Sequence, residues 1–385
     1  MKRILIISEA HLIHNFVLTT VKKIKEETGA RFDCLITTTV DENARLTLTR
    51  DFENVFVNEY PKGLISKIPK IRLLQNIYGL RKLAGKLPEY DIVHIHFYYF
   101  YYAFFTPIIR KKTRLFFLTF FGSDYYRINN LRHHINKRSL HIFDRVFAIN
   151  EMMLQDVAKR YDLITKQVET GILIFMMDSF VSFQTYLNNN TGCSAKKFWK
   201  FEKGVIVCAY SAGALMQHSL IIDGLKKVEN KLKNFEMVFP MTYGWNAKKM
   251  RVMVKEKLRS SSFDSRVLED FLPAEALQAL RLAADIFIVI PSTDQLAASM
   301  LEHLAAGSVV ITGKWLPYKS FMELGIYCIM IDTPEDLAGA LKEVLDNLED
   351  HKSKSKVNRE IVLKLMQWGN IKKNWFKYYE LEQNI

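Results

Sequence analysis

Cysteine is scarce in this chain: Cys34, Cys193, Cys208 and Cys328 are the four in 385 residues, and no two form a Cys-x-x-Cys pair. That spacing offers neither a zinc ribbon nor a disulfide framework, and it suits a reducing cytosol. No Gly-x-Gly-x-x-Gly follows an apolar run, and no Gly-x-x-x-x-Gly-Lys-Ser/Thr loop is present. Dinucleotide-dependent dehydrogenases and P-loop enzymes therefore lose their main support. An Asp-x-Asp pair that would hold a metal-bound diphosphate is also missing, so metal-independent chemistry is expected, with no metal and no cofactor. Long apolar runs are missing too. The longest, residues 97–109, falls short of the roughly 20 residues that span a bilayer. The opening run Ile4-Leu5-Ile6-Ile7 stops at Ser8 and Glu9, which reads as a first strand and not as a signal peptide. No helix-turn-helix, finger or RNP pattern occurs, so nucleic acid is not an expected partner.

What is present is a chain with 49% apolar and 25% charged residues, enough for two ordinary cores and so for two domains. Net charge is +13, unevenly spread: residues 1–170 hold 27 Lys and Arg against 17 Asp and Glu, and residues 171–385 hold 27 against 24. A basic first half points to an anionic membrane surface or a phosphorylated acceptor.

Short apolar runs alternate with helical patterns along most of the length. Strands are expected at 4–8, 32–37, 55–58, 92–96, 115–120 and 145–149, with helices at 15–28, 64–87, 99–110 and 151–161. A second series places strands at 205–210, 236–240, 267–271, 285–290, 309–312 and 328–331, with helices at 217–233, 247–260, 274–284, 296–306 and 334–347. Such alternation predicts α/β architecture, two Rossmann-like doubly wound domains in tandem. The expected division is 1–175 for the first domain, 176–203 for a linker around Asn188-Asn189-Asn190-Thr191-Gly192, 204–350 for the second, and 351–385 for a C-terminal helical segment. Open parallel sheets bind ligands beyond the carboxyl ends of their strands, so loops after strands are where chemistry is expected.

One such loop is Pro291-Ser292-Thr293-Asp294-Gln295, after a strand and before Met300-Leu301-Glu302-His303-Leu304-Ala305-Ala306-Gly307. Asp294 and Glu302, eight positions apart, can border one ligand if Asp294 sits at the helix start. Asp294 can equally be a helix cap and Glu302 a surface acid. Glu302, however, lies in an apolar run, where a carboxylate needs a partner or a ligand hydroxyl. The pattern resembles the donor signature of family 4 glycosyltransferases, Pro-Ser-x-Glu, seven residues, Glu-Ala-x-Ala-x-Gly, with Asp294 in place of the first Glu. The resemblance implies the GT-B fold, a nucleotide-sugar donor, Glu302 on the ribose and Asp294 beside the sugar, with Ser292 and Gln295 in the same loop. It also implies that the C-terminal helix crosses back to the first domain.

Two further stretches bear on the resemblance. Asp91-Ile92-Val93-His94-Ile95-His96 is similar to a strand of that family ending at the active site, which makes His96 the better candidate of the pair; otherwise the two histidines are a zinc pair or packed core. Phe121-Gly122-Ser123-Asp124 has Phe where many family members have His. It resembles a branch of bacterial surface-polysaccharide enzymes that includes the 4-acetamido-fucose transferase of enterobacterial common antigen. Asp124 is either a general base on the acceptor or a turn Asp capping the next helix. His14, after the first strand, is a further candidate.

In the loop Tyr210-Ser211-Ala212-Gly213-Ala214, the Arg and Lys that usually neutralise the diphosphate are missing. Ser211, Gly213 and the next helix N-terminus can still bind an anion, and Lys314, Lys248, Lys249 and Arg251 are cations on post-strand loops. The basic, apolar segment 60–74, with Arg81, Lys82 and Lys86, fits either an anionic bilayer or an ordinary surface helix. The expectation is a cytoplasmic glycosyltransferase, peripheral on the inner face of the membrane, moving a sugar to a lipid-linked or oligosaccharide surface glycan. Retention follows family 4; inversion with Asp124 follows the other branch. The competing reading is an inactive GT-B protein, a sugar-nucleotide sensor or scaffold.

Overall fold

The computed structural model describes residues 1–59, 68–295 and 297–381. The chain divides into two compact units, residues 1–178 with the end of the chain from Trp368, and residues 179–367. Each holds an all-parallel sheet with helices between its strands.

In the first unit β1 (Arg3–Ser8), β2 (Arg31–Ile36), β3 (Val55–Val57), β4 (Tyr90–His96), β5 (Thr113–Thr119), β6 (Arg145–Ala148) and β7 (Glu169–Ile172) lie in the order 3-2-1-4-5-6-7. The central strands are near-continuous apolar runs because helices cover both faces; Ile4, Leu5, Ile6, Ile7, Ile92, Val93 and Ile95 are completely buried. In the second unit β8 (Gly204–Cys208), β9 (Phe235–Pro240), β10 (Asp264–Leu268), β11 (Ile286–Val289), β12 (Val309–Gly313) and β13 (Ile329–Ile331) run 10-9-8-11-12-13. Both sheets therefore reverse direction once, between β1 and β4 and between β8 and β11. The two-domain α/β expectation stands.

Several details differ. Edge strand β7 escapes the sequence reading because Glu169 and Thr170 face solvent. β10 begins three residues before the expected 267: its polar start is held by Lys203 to Asp264 at 2.6 Å and by Arg266 to Glu236 at 2.8 Å. The aromatic stretch 99–110 is a 3-10 turn, Phe100–Phe104, followed by helix Thr106–Arg110. Residues 60–67 of the basic, apolar segment lie outside the described residues, and helix Pro69–Lys86 follows with proline at its first turn.

The linker expected at 176–203 is instead two helices, Asp178–Asn189 and Gly192–Trp199, within the second unit. Its asparagines misled because the same side chains that favour turns also satisfy helix ends. Asn189 and Asn190 donate back to the carbonyls of Thr185 and Tyr186, and Thr191 starts the next helix in a reciprocal capping pair with Ser194. Trp199 Nε1 then reaches the Ala276 carbonyl at 3.0 Å.

The expected C-terminal segment 351–385 divides as well. Helix Leu348–Leu365 belongs to the second unit and helix Trp368–Tyr379 to the first. Trp375 and Tyr379 are completely buried there, with Trp375 Nε1 donating to the Ile174 carbonyl at 2.8 Å and Lys372 paired to Glu27 at 2.8 Å. Among the described residues no helix is long and apolar enough to cross a membrane.

Candidate active site

The loops beyond the carboxyl ends of β8, β9, β11 and β12 are tied to one another. Ser292 N donates to the Leu215 carbonyl at 2.9 Å, Gln217 Nε2 to Ile290 at 2.5 Å, Trp315 Nε1 to Pro291 at 2.8 Å, and Ala212 N to Tyr243 at 2.7 Å. Gly244, at φ +137°, makes the last approach possible: a Cβ there would lie 2.5 Å from Gly213 N. These loops lie where the strand order reverses, the place at which open parallel sheets bind ligands.

Asp294 lies half-buried on the loop after β11. Its carboxylate accepts from Tyr318 at 2.5 Å, Tyr210 at 3.3 Å and Ala297 N at 3.3 Å. Burial and the neighbouring Asp294 charge hold the Tyr318 phenol well above its ordinary range, so it is a permanent donor. Neither tyrosine stood out in the sequence; the available signal was a tyrosine after an apolar strand, since a buried phenol needs an acceptor. Helix Ala298–Ala306 starts after this loop, while Leu296 lies outside the described residues. Ser292 is exposed on the same loop and Gln295 is half-buried.

On the β8 side Ser211 is buried, and its hydroxyl accepts from Gly213 N at 3.4 Å. Helix His218–Lys226 has no side-chain cap at its N-terminus, leaving its first amide donors for another acceptor. His218 turns inward, Nε2 to the Ser211 carbonyl at 2.8 Å, and burial lowers its pKa, so it supplies no charge to an anion.

Glu302 is buried, but its partner is a side chain. Arg281 Nε meets its Oε2 at 3.1 Å, Arg281 Nη1 lies 3.2 Å from His303 Nε2, and His303 stacks on Phe287 with centroids 3.9 Å apart. Burial raises the Glu302 pKa, with Arg281 opposing.

Two of the four expected cations have partners of their own. Lys314, directly after β12, pairs with Asp332 at 2.8 Å on the surface. Arg251 donates to the carbonyls of Met241 and Thr242 at 2.7 and 2.9 Å, bracing the loop after β9. Lys248 and Lys249 are exposed on helix Ala247–Leu258.

In the first unit the reversal between β1 and β4 is filled. Asp124, only 2% exposed, accepts from the backbone N–H groups of Tyr98, Phe121 and Gly122 at 2.8, 2.9 and 2.9 Å. Burial pushes its pKa up to about 7 against the pull of those donors. Asp124 thus fastens the turn after β5 to the turn after β4. That arrangement is the turn-capping alternative, with both carboxylate oxygens accepting backbone N–H groups.

His94 is held by Tyr379 Oη and Thr119 Oγ1, both at 2.7 Å, so both ring nitrogens have hydrogen-bond partners. Among the described residues no group of three or more His, Cys, Asp and Glu gathers as metal ligands. His96 differs: completely buried, its pKa pushed down to about 3 by burial, it has no hydrogen-bond partner on either nitrogen. The next residue, Phe97, is at φ +70°, a strained turn for a side chain of that size. His14 lines a separate concavity of about 510 Å³ with His11, Thr38, Asp41 and Asn43, beyond the ends of β1 and β2.

Two doubly wound units, each with an all-parallel sheet, define the GT-B class of fold. No protein-family model matches the sequence, and no curated protein matches it. Solved structures do: sucrose-phosphate synthase from Thermosynechococcus elongatus has TM-score 0.74 at 12% identity, covering 99% of this chain and 98% of that one. A glycosyltransferase from Rickettsia africae has TM-score 0.73 at 16% identity, with 98% of each chain covered. Anabaena HepE, solved with UDP and glucose, has TM-score 0.68 at 12% identity, covering 99% and 100%. At these identities the likeness is one of fold.

Proposed function

We propose that this chain is a glycosyltransferase that takes a sugar from a nucleotide-diphosphate donor held by the second unit. The observation that carries this reading is Asp294, half-exposed and fixed by two tyrosine hydroxyls at the β8/β11 reversal. A carboxylate so held accepts hydrogen bonds from sugar hydroxyls without first having to be ordered. Ser211, Gly213 and the uncapped start of helix His218–Lys226 offer amide donors to the diphosphate, and Ser292 and Gln295 flank the sugar. Glu302 remains the acid for the ribose, through whatever accepting capacity its pairing with Arg281 leaves. That HepE has been solved with UDP-glucose supports a donor of this chemical class.

In the proposed reaction an acceptor hydroxyl attacks the anomeric carbon, the carbon–oxygen bond to the diphosphate breaks, and the nucleotide diphosphate leaves with the acceptor's proton. We read this as a metal-independent, retaining course as in family 4, since Asp124, the carboxylate proposed as base for inversion, is bonded to backbone amides. The acceptor is a lipid-linked surface glycan, and the protein works at the cytoplasmic face. A second reading, a nucleotide-sugar sensor or scaffold, is favoured by one observation: the β8 loop has no Arg or Lys, while Lys314 and Arg251 are bound elsewhere.

A thermal-shift screen of the purified protein with UDP, GDP, dTDP and their sugars tests the proposal, since a ligand that binds the native state raises the melting temperature. A shift with one nucleotide family, accompanied by turnover of its sugar, supports the enzyme. A shift without turnover in the presence of membrane acceptors supports the sensor. No shift with any of them removes the donor site.

A further inference from the structure

We propose that the outer side of one helical layer of the first unit is a docking surface for an anionic lipid bilayer. The layer is made by helix Pro69–Lys86, the Phe100–Phe104 turn with helix Thr106–Arg110, and helix Asn130–Ser139. They cover one core: Leu80, Ala84, Tyr102, Phe105 and Ile109 from the first elements join Leu140 and Phe143, directly after the last helix. The elements are also fastened side by side. Arg81 Nη1 donates to the Phe104 carbonyl at 2.6 Å, and the Arg132 guanidinium lies 5.2 Å from the centre of the Phe100 ring. Their outward residues therefore form one continuous surface.

Two observations say what that surface fits. The first is charge of one sign: residues 69–86, 100–110 and 130–139 hold nine Lys and Arg and no Asp or Glu. Across residues 92–143 the sole carboxylate is Asp124, which is buried. Arg110 and Lys137 pair with Asp144 and Asp162 from outside these segments, whereas Arg81, Lys82, Lys86, Arg132 and Arg138 are exposed and in no ion pair among the described residues. The second is apolar exposure in the same place. Leu74, Tyr78 and Leu131 are 66%, 70% and 68% exposed, and Phe104 is 45% exposed.

Scattered apolar residues are ordinary on a surface, but four large ones among unopposed cations are a different pattern. A polyanion such as RNA would pair with the cations and leave Leu74 and Leu131 in water. A bilayer takes both kinds of residue, headgroup charge for the cations and the interfacial region for the apolar side chains. The inference goes beyond the sugar-transfer reading and stands without it.

The test is flotation of the full chain with vesicles of phosphatidylcholine, alone and mixed with phosphatidylglycerol, at rising salt and with polyuridylate as competitor. Binding is expected only to the mixed vesicles, fading with salt. Replacing two exposed cations, Lys82→Gln with Arg138→Gln, should weaken binding on the order of thirtyfold. Leu74→Ser with Tyr78→Ser should weaken it at least several-fold with an unchanged melting temperature, a readout that a purely electrostatic surface would not show. Absence of vesicle binding overturns the proposal. So does binding that ignores the apolar variants and yields to polyuridylate, which would mark a polyanion surface instead.

Discussion

The two units share a topology and differ at one place, the point where the strand order turns back. In the first unit that point is packed with rings: His96 lies 5.4 Å from Phe175 and 6.2 Å from Phe121 between ring centroids, and Asp124 is consumed by three amides. In the second the same position holds small residues and a half-exposed Asp294 suspended from two phenols. Parallel-sheet geometry supplies both locations equally. The side chains on the returning loops decide which becomes a polar, partly exposed surface and which becomes core, so sheet topology narrows the search for a site without choosing one.

The comparison can be broken most severely through Arg281. Arg281→Met leaves Glu302 buried without a partner and should cost about 3–5 kcal/mol, whereas Arg281→Met with Glu302→Leu should return most of it. Denaturant unfolding of both variants measures this, and equal losses would show that the pair is not the reason. Next is Asp294→Asn, expected to reduce sugar transfer on the order of a hundredfold while nucleotide affinity stays within about twofold. Unreduced turnover would take Asp294 out of the site.

A smaller structural effect is expected for Gly244→Ala. The new Cβ meets Gly213 N at a backbone angle that suits only glycine, so about 1–3 kcal/mol should be lost along with nucleotide binding. A variant that retains both would mean the two loops do not need their close approach. Least costly is His96→Phe. It removes two unpartnered buried nitrogens and should leave the melting temperature level or higher. If transfer nevertheless falls, His96 is a functional group and not filling; level activity assigns it to packing.

Acid should also weaken the first unit. His96 titrates near 3 in the fold against an ordinary 6.5, and His133 near 4, so the unfolded chain binds more protons between those values and 6.5. Their contribution to stability is present above 6.5 and is lost as pH falls. Asp124, raised to about 7, acts in the opposite direction between 7 and its ordinary 3.8. With His94 also depressed by burial, the histidines of the first unit outnumber that compensation. Melting followed from about pH 8 to 5 should show the first unit weakening on acidification, less so in His96→Phe. A rising melting temperature would reverse the sign argued here.

The periodic parts of the chain were legible: central strands such as 4–8 and 92–96 are short apolar runs because helices bury both faces. The edges were not. β7 and β10 carry Glu169, Asp264 and Arg266 because one side of an edge strand meets water, which erases the signal. Helices Asp178–Asn189 and Gly192–Trp199 hid behind asparagines that act as caps. Within the site, Asp294 was visible from its position after a strand. Tyr210 and Tyr318 were not, since the hydrogen bonds that hold Asp294 join residues far apart in sequence. A buried Glu302 was foreseeable and Arg281 as its partner was not, because a helix position does not say what faces it.

The helix Trp368–Tyr379 completes the core of the first unit from the other end of the chain, with Tyr379 closing the hydrogen bond of His94. During synthesis the first 178 residues leave the ribosome with that slot empty, while the second unit is contiguous and has every segment it needs before residue 368 appears. Domains fold as units as they emerge, ordinarily from the N-terminus onward. Here the order of completion is inverted: the unit that is made first is finished last, and its aromatic core waits for the final helix to be translated.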